Sequence, residues 1–275
     1  MKMRFQNIQP VAQLKGIVSK MWLFESEGRL PDADMKMIVP NGMAKLTIPV
    51  RNGVSGSNSS YSLLSKESQI TLIGIQDIPA IVDIEHDAFH TNIGIEFSPL
   101  GTYRLFQLHQ SEIKNKLFLL EDMLGKPARE IQDRIAQTTA VEQKIRLIQG
   151  FLVQLLAKSE ADPILDYCIE NIIQSRGRVT VHSLERQTGY SSRWLHEKFT
   201  AKVGLSPKNL SSIVRFNEVY KQWARHGTLE SLKADIYTYF YDQAHFIKDF
   251  KRFTGHTPRK FANSKNEFGR IFYKE

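Results

Sequence analysis

The sequence predicts a two-domain α+β chain. An N-terminal β-barrel with trailing helices precedes an all-α domain in which one long helix joins two helix-turn-helix units. Three observations carry this reading. Short Val/Ile/Thr-rich runs fill the first hundred residues, the apolar spacing turns helical after Thr102, and the last third contains an internal repeat.

The runs Lys36–Val39, Ala44–Pro49, Gln69–Ile75, Ile81–Ile84 and Asn92–Phe97 read as strands. Turn chemistry separates them at Pro40-Asn41-Gly42, in the Gly/Ser loop from Asn52 to Ser60, at Asp77–Pro79 and at Asp87–His90. Many short strands at this spacing point to an antiparallel barrel or sandwich. From Thr102 on, Ile113, Leu117 and Leu120 share one helical face, and Leu124-Gly125-Lys126-Pro127 closes that unit. Helices are expected over Ala128–Thr138 and Val141–Lys158. The second lines up Ile145, Ile148, Leu152, Leu155 and Leu156 as a stripe that packs on its own domain or forms a dimer seam. A boundary at Lys158-Ser159 divides the chain into residues 1–158 and 159–275. Asp162-Pro163 then opens a helix running to about Gln174, and Arg176-Gly177-Arg178 ends it.

Charge is segregated along the chain. From Arg176 to the C-terminus, 19 Lys+Arg face 9 Asp+Glu, while the remainder holds 18 against 20. That imbalance fits a polyanionic partner for the last hundred residues, or a solvated basic face. The opening MKMRFQNIQP has no apolar core of a signal peptide. Ile145–Ala157 is interrupted by Arg146, Gln149 and Gln154 and is too short to span a bilayer. A cytoplasmic protein with no membrane partner is expected. The single Cys168, set among Leu165, Ile169 and Ile172, excludes an internal disulfide and reads as a buried thiol.

The repeat relates Gly189–Lys208 to Phe240–Arg259 by a displacement of 51 positions. Ser191 and Asp242 coincide as N-caps, and Leu195/Phe199 coincide with Phe246/Phe250 as i,i+4 core pairs. Gly204 and Gly255 coincide as helix stops, and Ser206-Pro207 and Thr257-Pro258 as restarts. Lead-in helices are expected over Val181–Thr188, capped by Thr180, and over Leu229–Tyr239. A short helix, a turn and a longer helix form the arrangement that places its second helix in a major groove. Pro207–Arg225 reads as one continuous rod of roughly 28 Å, against a groove repeat of roughly 34 Å. Duplex DNA is therefore the expected partner.

On the first recognition helix, Ser192, Arg193, His196 and Glu197 lie off the core face, and Arg193 suits guanine. On the second, Gln243 suits adenine and Ala244 a thymine methyl. Lys248, Lys251, Arg252 and Lys208 read as phosphate contacts. Trp194 and His245 read as packing residues.

With these residues laid out, the segment from about Asp162 to Phe261 resembles the AraC-type regulator family. The resemblance is densest in Tyr241-Asp242-Gln243-Ala244-His245-Phe246, Phe250–Gly255 and Thr257-Pro258. It also covers Gly189-Tyr190-Ser191 through Pro207, with Arg215 where the family keeps an arginine on the linking helix. Where the family usually has alanine in each lead-in helix, this chain has Glu185 and Asp235, and Tyr239 replaces the second turn glycine. A tyrosine at positive φ would be strained, so that turn is expected to differ in shape. Residues from about Phe5 to Arg134, through Pro31-Asp32-Ala33 and Ile93–Gly101, resemble the family's sensor portion. That resemblance implies a cupin-like barrel able to hold a small-molecule effector, and a possible homodimer.

The sequence offers no Gly-x-Ser-x-Gly, Walker or Gly-x-Gly-x-x-Gly pattern, so neither an enzyme nor a cofactor is expected. Two rivals are a cupin-type metal protein built on Glu85, His86, His90 and His109, and an interaction module using a degenerate helix-turn-helix. The first is disfavoured because the histidine cluster falls in an expected turn rather than on one strand face.

Overall fold

The structure is a computed structural model and describes residues 2–28, 30–84, 89–156, 161–226, 228 and 236–273. The proposed boundary at Lys158-Ser159 lies outside those residues. The contacts divide the chain into two compact units that are not simple linear halves. The first is Met1–Leu30, Met43–Ile75 and Val82–Ala161; the second is Pro31–Gly42, Gln76–Ile81 and Asp162–Glu275.

The first unit is built on a six-stranded antiparallel sheet. Its strands are β1 (Lys2–Ile8), β2 (Val18–Glu27), β4 (Lys45–Arg51), β7 (Thr71–Ile73), β9 (Phe89–Phe97) and β10 (Leu117–Leu119), in the order β1-β2-β9-β4-β7-β10. Register gives the two faces different chemistry, because alternate residues point opposite ways. Met21, Leu46, Ile48, Leu72, Ile93, Ile95 and Phe97 enter the hydrophobic core. On the other face Ser26 pairs with His90, Phe24 with Asn92, and Lys45 with Glu96. The Lys45 Nζ lies 3.5 Å from a Glu96 carboxylate oxygen, and Thr47 donates to Asn92 Oδ1 at 2.8 Å. Against the core pack α1 (Gly101–Phe106), α2 (Gln110–Ile113), α3 (Leu120–Leu124), α4 (Lys126–Gln137) and α5 (Val141–Leu156). The α5 stripe packs on its own unit, with Ile148 and Leu152 fully buried.

Three expectations are corrected here. Ile113, Leu117 and Leu120 are all buried but do not share a helix. Asn115 turns to φ +59 after α2, and Leu117–Leu119 instead extends the sheet along β7. The Gly/Ser stretch is not one long loop, since β5 (Val54–Ser57) pairs with β6 (Ser62–Ser65) across a short turn. His90 sits inside β9, buried, rather than in a turn.

The second unit is helical: α6 (Pro163–Gln174), α7 (Val181–Thr188), α8 (Ser192–Lys202), α9 (Pro207–His226), α10 (Ile236–Tyr239), α11 (Gln243–Thr254), α12 (Pro258–Ala262) and α13 (Glu267–Ile271). Helix α9 is the axis. Leu210, Ile213, Phe216, Asn217, Val219, Tyr220, Trp223 and Ala224 are buried on one broad face, while Val214, Glu218, Lys221, Gln222 and Arg225 line the opposite, partly exposed stripe. Cys168 is buried in α6, and burial pushes its thiol up to about 11. No helix among the described residues is long and apolar enough to cross a membrane.

Two segments from the N-terminal half complete this unit. In Pro31–Gly42, β3 (Met37–Ile38) pairs with Ala80 and Ile81, which begin β8 (Ala80–Ile84). Asp34 Oδ2 accepts from the Glu267 and Phe268 N–H groups, capping α13 from a distant part of the chain. Asn266, 1% exposed, receives the Met37 N–H on its oxygen and donates to the Met37 carbonyl. Tyr273 donates its hydroxyl to the Val39 carbonyl, and Asn217 donates to that of Pro40.

Two outcomes follow. A fragment starting at Ser159 leaves Asn266, Asn217, Tyr273 and the α13 N–H groups without their buried partners, each such loss being worth about 1–3 kcal/mol. It should melt well below the full chain, with a broadened transition by circular dichroism. Burial also lowers the His90 imidazole to about 4. The unfolded chain protonates near 6.5 and so binds more protons between those values, and stability should fall as pH drops from about 6.5 towards 4. Urea denaturation should show that loss, up to about 3 kcal/mol, flattened in His90→Phe.

Candidate nucleic-acid interface

Each copy of the repeat is assembled by its own local signals. In the first, Thr180 Oγ1 accepts from the Ser183 N–H and starts α7, and Gly189 at φ +76 makes the turn. Ser191 Oγ accepts from the Trp194 N–H and starts α8. In the second, Asp242 accepts from the His245 N–H at 2.7 Å and starts α11. Both copies stop on a left-handed glycine, Gly204 at φ +84 and Gly255 at φ +73. Ser206 and Thr257 then cap α9 and α12 through the Asn209 and Lys260 N–H groups. The expected core pairs hold, with Leu195, Phe199, Phe246 and Phe250 all at 0–1% exposure.

The residues expected to meet DNA fall on exposed faces. Ser192, Arg193, His196 and Glu197 are exposed on α8, and Lys208 is exposed in the first turn of α9. Gln243, Ala244, Lys248, Lys251 and Arg252 are exposed on α11. Three of them, Arg193, Glu197 and Arg252, are engaged through their side chains. Arg193 donates from Nε to Glu197 Oε1 at 3.1 Å, one turn along the same helix. Arg252 donates from Nη2 to Asp77 Oδ2 at 3.1 Å and from Nη1 to Asn209 Oδ1 at 3.4 Å. Trp194 and His245 are half-buried, as packing residues should be. Trp194 stacks on Tyr190 at 4.1 Å, and His245 meets the Phe240 ring edge-on at 5.4 Å.

The departures from the family pattern have physical roles. Glu185 accepts from the Ser192 N–H and so adds a second cap to α8. That hydrogen bond holds the Glu185 carboxyl below the usual range. Tyr239 ends α10 at negative φ, so the feared strain is absent, and its hydroxyl accepts from Arg176 Nη1 at 2.9 Å. Of the second lead-in helix only Ile236–Tyr239 is described, and Asp235 lies outside the described residues. So do Glu85 and His86. Of the remaining histidines proposed for a metal site, His90 is buried on the sheet and His109 is exposed, its Nδ1 2.8 Å from Ser111 Oγ.

Arg215 joins the two copies. Its Nη1 donates to the Gly177 carbonyl at 2.6 Å, at the entrance to the first copy, and its Nη2 donates to Ser212 Oγ. Its guanidinium carbon lies 6.0 Å from the Phe240 ring centroid, at the entrance to the second copy. Burial lowers its pKa, partly offset by Asp249 on α11. Gly177 is required there twice over. Its φ is +72, and a Cβ would approach the Ser211 carbonyl oxygen to 2.2 Å.

Residues 184–264 match the family model described as a helix-turn-helix domain, and residues 6–118 match a domain of unknown function, DUF6597. No curated protein sequence matches the chain. Among solved structures the chain is similar to wild-type ToxT from Vibrio cholerae strain SCE256 with unsaturated fatty acid bound. Identity is 13% and the TM-score 0.48, over 88% of this chain and 95% of that one. A ToxT structure from Vibrio cholerae at 1.65 Å resolution matches at 13% identity and a TM-score of 0.47, over 87% of this chain and 97% of that one. A protein named as a putative mannose-6-phosphate isomerase, from Ralstonia eutropha JMP134, matches over 35% of this chain and 85% of its own, at 10% identity and a TM-score of 0.28.

Arg215→Ala removes charged hydrogen bonds worth about 1.5–3 kcal/mol each. Thermal melting should drop accordingly, and Arg215→Lys should recover only part of it, because an ammonium cannot hold both contacts in one plane.

Proposed function

We propose that the chain, with a helix-turn-helix domain at residues 184–264 behind a DUF6597 domain, is an AraC-type DNA-binding transcription regulator that reads two successive major grooves. The observation that carries this is the doubled architecture on one rod. Two recognition helices, capped and stopped alike, pack on α9, whose 20 residues span about 30 Å. In this reading Arg193 and Gln243 read base edges, with Ser192, His196, Glu197 and Ala244 beside them. Glu197 keeps Arg193 extended along the groove-facing side of α8 until guanine replaces it. Lys208, Lys248 and Lys251 set the salt-dependent affinity through phosphates.

The first unit is read as the regulatory part, and the whole as a cytoplasmic regulator rather than an enzyme. An effector site is supported by the sheet face away from the hydrophobic core. There Ser26 Oγ and His90 Nδ1 are buried without a hydrogen-bond partner, on directly paired residues. Buried polar atoms of this kind are the exception in folded proteins, and a small polar molecule would satisfy them. The effector-linked partner in this reading is a second copy of the chain.

The test is selection of bound duplexes from a random pool by the full chain at physiological salt. Two enriched blocks about one helical turn apart are expected. Arg193→Ala should lose about 1–3 kcal/mol of preference at one base position, whereas Lys251→Ala should weaken every sequence alike. A pool that returns unenriched, with binding lost as salt rises, would refute specific readout.

A further inference from the structure

On α11, Ala244, Lys248 and Arg252 recur every four residues and so form one row along the exposed face. The row presents two cations, but only Lys248 presents its charge unopposed. The Arg252 guanidinium, 38% exposed, is held 3.1 Å from a carboxylate oxygen of Asp77, which is 10% exposed. A carboxylate offers a guanidinium the same forked oxygen pair that a phosphate diester does. Asp77 thus stands where a DNA phosphate would stand. Asn209 Oδ1 at 3.4 Å and the Phe253 ring, 5.1 Å from the guanidinium carbon to its centroid, complete the seat.

Asp77 does not belong to the repeat. It lies on Gln76–Ile81, a segment of the second unit that continues into the first unit at both ends. Its position there is fixed by the pairing of Ala80 and Ile81 with β3. An arginine neutralised by such a partner displaces no counterion from DNA, so it contributes nothing to the electrostatic part of binding. We propose that Asp77 sets the DNA affinity of this chain by occupying Arg252, which takes a backbone phosphate when the carboxylate is withdrawn. The proposal rests on the DNA-binding reading above. It adds a residue outside the helix-turn-helix copies that determines how strongly they bind.

The experiment is salt-titrated binding of the full-length chain to a fluorescent duplex of arbitrary sequence. The wild type, Asp77→Asn, Arg252→Gln and the double variant would be compared, each checked by thermal melting. Asp77→Asn should steepen the slope of log affinity against log salt by about 0.9, equivalent to roughly eightfold tighter binding at 0.1 M than extrapolated from 1 M salt. Arg252→Gln alone should leave the wild-type slope unchanged, a readout that does not depend on how well Asp77→Asn folds. The double variant should return to the wild-type slope. If Asp77→Asn leaves the slope unchanged, or if Arg252→Gln flattens the wild-type slope by a full contact, the proposal is overturned. A wild type that binds no duplex at any salt overturns the DNA-binding premise itself, and that result is distinguishable because it is seen before any variant is compared.

Discussion

Helix α9 buries one broad face along most of its length, and the placement of both repeat copies follows from the need to cover it. A face that broad must be covered by several partners, and here α6, α8, α11 and α13 each take part of it. Its first half carries the buried aliphatic residues Leu210 and Ile213. Its second half belongs to an aromatic cluster. Phe216 lies 5.6 Å from Phe250 and 5.1 Å from Phe253, and Trp223 lies 4.8 Å from Phe261. Because interiors are close-packed and resist compression, both recognition helices are referred to one rigid element rather than to a linker. Arg215 strengthens the same relation by anchoring to the Gly177 carbonyl while its guanidinium lies beside Phe240.

The copies are related in sequence but are completed differently. The first closes on its own chain: Thr180, Glu185, Ser191 and Ser206 satisfy helix-start N–H groups from within it. Around the second, α13 is capped by Asp34, and Asn266 is paired with Met37 through two hydrogen bonds. Several buried polar groups at that end of α9 are therefore partnered by polypeptide from the first eighty residues. This asymmetry explains why the second copy tolerates Tyr239 where the family has glycine. Its entrance is braced by the Arg176 hydrogen bond to the tyrosine hydroxyl and by the burial of Phe240, and no left-handed residue is needed.

What could be read in the sequence was whatever is encoded locally. Caps, core pairs and stops recur within a dozen residues, so Ser191, Asp242, Gly204 and Gly255 could be assigned from spacing alone. The strap formed by Pro31–Gly42 could not, because the Met37–Asn266 pairing spans 229 positions and leaves no periodic trace in either segment. The edge strand Leu117–Leu119 was read as helix for a related reason. Its buried residues fall at helical spacing by accident, and the break depends on Asn115 adopting positive φ. The strands β1 and β2 were missed because alternation is blurred in β2, where Met21 and Trp22 are adjacent and both buried. Among the interface residues, exposure was predictable for all ten, but the engagement of Arg193 and Arg252 was not.

That last distinction changes what the positive charge of the second unit means. Formal charge counts every lysine and arginine alike, yet several are committed to architecture. Arg252 meets Asp77, Arg176 meets Glu218, Lys202 meets Asp162 and Arg270 meets Glu267, and each pair joins or stiffens helical elements. Lys208, Lys248, Lys251, Arg259 and Lys260 are exposed and have no carboxylate partner among the described residues. Four of these lie on or just beyond α11, and Lys208 begins the rod that α11 packs against. Arg186 on α7 and Lys198 on α8 are exposed as well, so the charge free to meet phosphate is spread over both copies. The first presents Arg193 already paired with Glu197, in a geometry suited to exchange for a base edge.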